Sequence, residues 1–273
     1  PIKMKKLKNF LKIYEIWIFL LLAPLSSAIF VYGFQMHLIP GRLYIHGRVF
    51  LLLFLLIGLV KITRGNSGVK DIFNPMAKWK IPFKWYLFAF FFASSIAFIS
   101  LCLKAIYLGG DFSVISLNFS VVTTLGFIFN MILFAFVGEV VWVSFAVRQL
   151  SKVINPFYAS QIVGLVWGLW WIPMVMLNVG VVEDLPIVAL LINMMGAAGM
   201  CTIVYAQTKS GVCVWMLQIM LNTSILVFPV SPRASMPSYW TFSIVYFLVM
   251  LGFMYYYNTV KKNQMMKITS NPN

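Results

Sequence analysis

The chain has 273 residues, of which 62% are hydrophobic and only 10% charged, with a mean hydropathy of +0.91. A water-soluble domain is about 25% charged and about 45–50% apolar, so soluble enzyme folds, nucleic-acid modules and disordered tails are excluded. The formal net charge of +15 comes from 21 Lys and Arg against 6 Asp and Glu, and in a membrane protein such an excess reports orientation before it reports a partner.

A helix crossing a hydrocarbon core of about 30 Å needs about 20 mostly apolar residues. The first such run, Ile16–Met36, follows Lys3, Lys5, Lys6, Lys8 and Lys12 and is too long for a cleaved leader, so it reads as a true first span. The second is Leu43–Val60. The polar stretch from Lys61 to Trp85 then reads as a cytoplasmic amphipathic elbow, with Trp79 and Trp85 at headgroup level and Lys78, Lys80 and Lys84 meeting anionic lipid. Further spans are expected at Tyr86–Leu108, Val121–Val143, Phe157–Val179, Leu185–Tyr205, Val212–Val230 and Trp240–Tyr257. The expected fold class is all-α, a polytopic membrane bundle of about eight transmembrane helices forming one integral membrane domain over residues 1–273.

Counting the cations against these spans sets the orientation. The N-terminal lysines, the 61–84 stretch, Arg148, Lys152, Lys209, Lys261, Lys262 and Lys267 fall on one side; Arg42, Arg48, Lys104 and Arg233 fall on the other or at its interface. The positive-inside rule then puts both termini in the cytoplasm of a cell-membrane protein. The lipid bilayer is the first expected partner, and no nucleic acid is. Cys102, Cys201 and Cys213 lie in or near spans without CxxC spacing, so they read as small buried residues. No metal motif and no cofactor are expected.

Polar residues inside spans mark where chemistry or packing concentrates. Of the acidic residues, Glu15, Asp71, Asp111, Glu183 and Asp184 fall at span ends or in loops, and only Glu139 sits deep within a span. A carboxyl there must face the bundle interior. In the next span Trp167-Gly168-Leu169-Trp170-Trp171-Ile172-Pro173 combines three tryptophans with a proline that should locally break the helix. Gln218 and Asn222, four residues apart, should share one face of the seventh span as interhelical hydrogen-bond glue.

These three segments together resemble the CPBP family of membrane proteins, the CAAX prenyl endopeptidases and their bacterial relatives, including bacteriocin-immunity proteins. Lys84-Trp85-Tyr86-Leu87 is similar to that family's entry to a helix, and Tyr205-Ala206-Gln207-Thr208-Lys209-Ser210-Gly211 to its turn before the last motif. The resemblance covers a core of about 84–230. The family carries Glu-Glu-x-x-x-Arg on one helix, Trp/Phe-Gly/Ala-x-x-His about thirty residues later, and His-x-x-x-Asn/Asp on a later helix. Aligned on Trp142, Glu139 takes the second glutamate's place, Gly138 the first and Val143 that of the arginine. Shifted by one residue, Glu139 becomes the first glutamate, Val140 the second, and Ser144 stands at the arginine position. Trp171 and Gln218 replace the two histidines, and Asn222 is kept.

What the resemblance implies for catalysis follows from the missing groups. The family's glutamate and histidine activate a water, and the later histidine and asparagine stabilise the oxyanion. Neither an indole nor an amide exchanges a proton near neutral pH. Zinc would need about three ligands, and these positions supply one carboxylate. Glu139 and Asn222 are thus vestigial catalytic positions with no intact catalytic set. The expectation is a catalytically degenerate member of the family, with Glu139, Trp142, Trp167, Trp171, Gln218 and Asn222 lining a cavity that binds or escorts a membrane protein or lipidated peptide, in an immunity or regulatory scaffold role. The alternatives are an active CAAX-protease-like endopeptidase with an altered site centred on Glu139, and a small transporter or lipid-handling protein.

Overall fold

The computed structural model describes residues 2–180 and 184–259; Glu183, Lys261, Lys262 and Lys267 lie outside the described residues. Every regular element among the described residues is helical. A basic helix, α1 (Ile2–Ile13), leads into α2 (Glu15–Gln35) and the long α3 (Gly41–Phe73), which a short 3-10 turn at Asn74–Ala77 closes. After α4 (Phe83–Tyr107) the chain runs irregularly to α5 (Leu125–Gly138), which continues as a π-helical segment (Glu139–Val147) and a last α-helical turn, α6 (Arg148–Leu150). Four helices follow: α7 (Pro156–Met176), α8 (Ile187–Thr208), α9 (Gly211–Val227) and α10 (Met236–Thr259).

Among the described residues, seven helical stretches are long and apolar enough to cross a membrane, and the chain is a polytopic helical bundle in contact with lipid. The seventh expected span, Val212–Val230, corresponds to α9, which is apolar but only 17 residues long. The sequence places a loop from Lys61; the helix instead runs on to Phe73, bending where Gly65 adopts φ 71°. Polar residues are tolerated in this extension because they find partners on other helices, as described below. The span expected to begin at Val121 starts at Leu125 and reaches Leu150. Pro173 does not end α7, which continues to Met176.

Local chemistry fixes the element ends. Asn155 accepts from Phe157 N and Pro156 occupies the first turn, so α7 begins with a cap and a pre-set φ. Lys209 closes α8 in the left-handed region at φ 55°, and the next residue, Ser210, caps α9 by accepting from Cys213 N. The Ser210 hydroxyl also donates to the carbonyl of Lys78, tying this turn to the segment before α4.

The core is organised around α8, the most enclosed of the spans, with 67% of its most apolar window buried. Its Gly196-Ala197-Ala198-Gly199 run is small enough for helices to approach closely. A Cβ added at Gly164 of α7 would stand 2.6 Å from Met195 Cα of α8, and one at Gly199 would stand 2.4 Å from Met250 Sδ of α10. The outward faces carry Leu21, Ile29, Phe54, Phe91 and Leu248, all exposed, as a lipid-facing surface requires.

Candidate functional site

Glu139 is completely buried at the junction of α5 and the π-helical segment. Its Oε1 accepts from the Ser144 hydroxyl at 2.8 Å, while Oε2 has no partner. The pairing spans five residues, the interval that a π-helix brings into register, since its backbone bonds run i to i+5. Two glycines make room around it. A Cβ at Gly138 would lie 2.7 Å from Gln218 Oε1 and 3.7 Å from Trp167 Cζ2; one at Gly211 would lie 2.7 Å from Met76 Sδ and 3.0 Å from Glu139 Oε1. The segment before α4, the π-helix, α7 and α9 thus meet around Gly138 and Glu139.

The expected site residues divide into those brought together and those kept apart. Glu139, Gln218 and Trp167 meet around Gly138, and Trp142 stacks on Trp167 with ring centroids 5.7 Å apart and planes at 18°. Gln218 is buried, with no acceptor for its Nε2. Trp171 lies one turn along α7, edge-on to Trp170 at 5.4 Å. Asn222 is exposed and does not join this group. The buried face of α9 runs through Val214, Leu217, Gln218, Leu221 and Ser224, and Asn222 falls just past its edge. The two histidines stand elsewhere: His46 pairs with Asn130 at 2.9 Å, and His37 sits in the turn between α2 and α3. Among the described residues no three His, Cys, Asp or Glu side chains cluster as metal ligands would.

Two further groupings were not read from the sequence. The first is an ionic network between α2, α3 and α6. Arg148 holds Asp71 through both carboxylate oxygens, at 3.1 and 2.6 Å, and through its backbone carbonyl at 2.9 Å; Arg64 bridges Asp71 at 3.3 Å and Glu15 at 3.1 Å. Thr63 also donates to Glu15. The only sequence signal was that four charges flank apolar runs, which does not specify partners.

The second grouping surrounds Arg48, expected at an interface and found only 4% exposed. Its guanidinium carbon stands 3.6 Å from the Trp170 ring centroid and 4.7 Å from that of Trp171. The Trp170 carbonyl, just upstream of Pro173, accepts from Ser27 Oγ at 2.7 Å and from Arg48 Nη1 at 3.4 Å. Pro173 removes the intrahelical donor of the Leu169 carbonyl, and Ser27 and Arg48 donate to the carbonyl next to that break. The signal that could have marked this site is an arginine inside an apolar helix, together with two adjacent tryptophans.

No protein-family profile matches the chain, and no curated protein matches it.

Proposed function

We propose that the chain is a catalytically degenerate CPBP-like membrane protein, resident in the cell membrane with both termini cytoplasmic, which binds or escorts a membrane partner without cleaving it. The observation that carries this reading is the enclosure of Glu139. The carboxyl is 0% exposed, its hydrogen bond comes from Ser144, Met76 and Gly211 close over it, and Gln218 and Trp167 pack against the adjoining Gly138. A hydrolytic carboxylate needs a proton-exchanging partner and room for a water and a peptide; indole and amide groups occupy the positions where the family has histidine. Binding is supported by an outward-facing apolar groove lined by Phe98, Ile99, Ile115, Leu117 and Phe228, a shape suited to a transmembrane helix or an acyl chain.

The test compares the protein termini of membranes from cells with the intact gene, a deletion and Glu139→Gln, alongside a photo-crosslinking residue at Phe98. The expected result is one set of termini in all three and a discrete membrane-protein adduct at Phe98. Termini lost in both the deletion and Glu139→Gln would establish the protease alternative. Unchanged termini with no adduct would remove the binding role. Cysteine reporters at Lys80 and Asp111, on loops at opposite ends of α4, should label only from inside and only from outside respectively.

A further inference from the structure

Arg48 is a positive charge within a membrane-spanning helix, and no acidic side chain among the described residues pairs with it. Buried charges of this kind are ordinarily paired. The Trp170 and Trp171 ring faces, with the single long bond from Nη1 to the Trp170 carbonyl, offset only part of the desolvation, because a ring face attracts the charge without accepting a directed N–H bond. Around the guanidinium the unmet groups all have one character. Arg48 Nε, Trp170 Nε1 and Trp171 Nε1 are buried, and none has an acceptor. All three can only donate. What is missing is therefore an acceptor, and beside a fixed positive charge the acceptor is an anion; a metal ion or a cationic ligand would be repelled.

The placement narrows the source. Arg48 lies seven residues past the start of α3 at Gly41, about 10 Å along the axis, and Trp171 lies five residues before the end of α7 at Met176, about 8 Å along it. Tyr44, one turn earlier on α3, donates to the Val179 carbonyl just beyond α7 at 3.2 Å, so both helix ends belong to the same rim of the bundle. This is a depth within reach of a headgroup drawn inward between helices. The guanidinium fork matches two oxygens of a phosphate at once.

We propose that Arg48, Trp170 and Trp171 form a binding site for a phosphate group, supplied by a phospholipid headgroup from the adjacent leaflet. The site is separate from the Glu139 cluster, and its existence does not depend on the function proposed above.

Native mass spectrometry of the full chain in detergent, titrated in parallel with dioleoylphosphatidylglycerol and with inorganic phosphate, tests the assignment. The intact chain should retain one phosphatidylglycerol. Arg48→Gln should weaken retention about tenfold or more, and Trp171→Phe, which keeps a stacking ring and removes one donor, about threefold. Arg42→Gln, an exposed arginine near the start of the same helix, should leave retention unchanged. Thermal unfolding confirms that each variant is folded; should Arg48→Gln fail to fold, Trp171→Phe alone decides. Arg48-dependent retention of inorganic phosphate without the lipid supports the site with a free anion as its source. Equal retention by all variants, an equal loss in Arg42→Gln, or no retention of either probe overturns the proposal.

Discussion

The Ser144 hydroxyl donates a 2.8 Å hydrogen bond to Oε1 of Glu139, five residues earlier in the chain. Ser144→Ala removes that donor and leaves both carboxyl oxygens unmatched, since Oε2 already lacks a partner. The expected cost is about 1–3 kcal/mol. Glu139→Gln keeps an accepting oxygen at nearly the same volume and should cost less. Denaturant unfolding in micelles ranks the two, and the opposite order would show that Ser144 is not what sustains the buried carboxyl.

Asp71 is held by two arginines, with Arg148 engaging both of its oxygens. Asp71→Asn should destabilise by about 1 kcal/mol, below the range for buried charge-assisted bonds because the aspartate side chain is 39% exposed. Arg148→Lys loses the fork and should cost a similar amount. The double variant should cost clearly less than the sum of the two, as contacting residues do. Simple additivity in unfolding measurements would mean that the pair contributes nothing to stability.

Gly164 marks a close backbone approach of α7 to α8, where an added Cβ would stand 2.6 Å from Met195 Cα and 2.8 Å from Met194 O. Backbone cannot move aside as a flexible side chain can, so Gly164→Ala should destabilise by about 1–3 kcal/mol or more. Gly252 on α10 has nothing within 4 Å of such a Cβ. Gly252→Ala should be neutral or stabilising by up to about 1 kcal/mol through helix propensity. Thermal unfolding of the two variants separates close packing from a general effect of adding a methyl group.

Burial, and then the charge of Lys78, lowers the Lys209 ammonium from its ordinary 10.5 to about 8. The unfolded chain then binds more protons than the folded chain between these two values. Stability should therefore rise with pH from about 8 to about 10.5 and gain nothing from this group below that window. Lys209→Met should flatten the rise in the unfolding temperature measured across the window. An unchanged pH profile in the variant would assign the rise to other groups.

The long apolar runs made most spans legible, because a run of about 20 such residues has few other places to go. The interior position of Glu139 was equally legible, since lipid penalises a carboxyl. Its partner was not: residues five apart diverge on an α-helix, and nothing in the Val-rich 137–147 stretch announces a π-helix. Lys61 to Phe73 read as part of a polar connection because Gly65, Asn66 and Gly68 interrupt the apolar run. The helix persists because Glu15 and Arg148, remote in sequence, meet Arg64 and Asp71. Asn222 looked interior by its spacing from Gln218, yet a helix face only a few residues wide can bury one and expose the other. Arg48 and Trp170 are 122 residues apart, a separation over which no local pattern operates.

The shortness of α9 has a consequence for the membrane itself. Seventeen residues rise about 25 Å, against a hydrocarbon layer of about 30 Å, while α4 beside it has 25 residues. Where α9 meets lipid, a full-thickness layer would cost fractions of a kcal/mol per Å of mismatch, which local thinning would relieve. Asn222 is exposed on α9, and a thinner layer there would bring headgroups and water nearer to its amide. A thinner bilayer already has that shape, so the protein should partition toward thin regions and away from sterol-like, thickened ones.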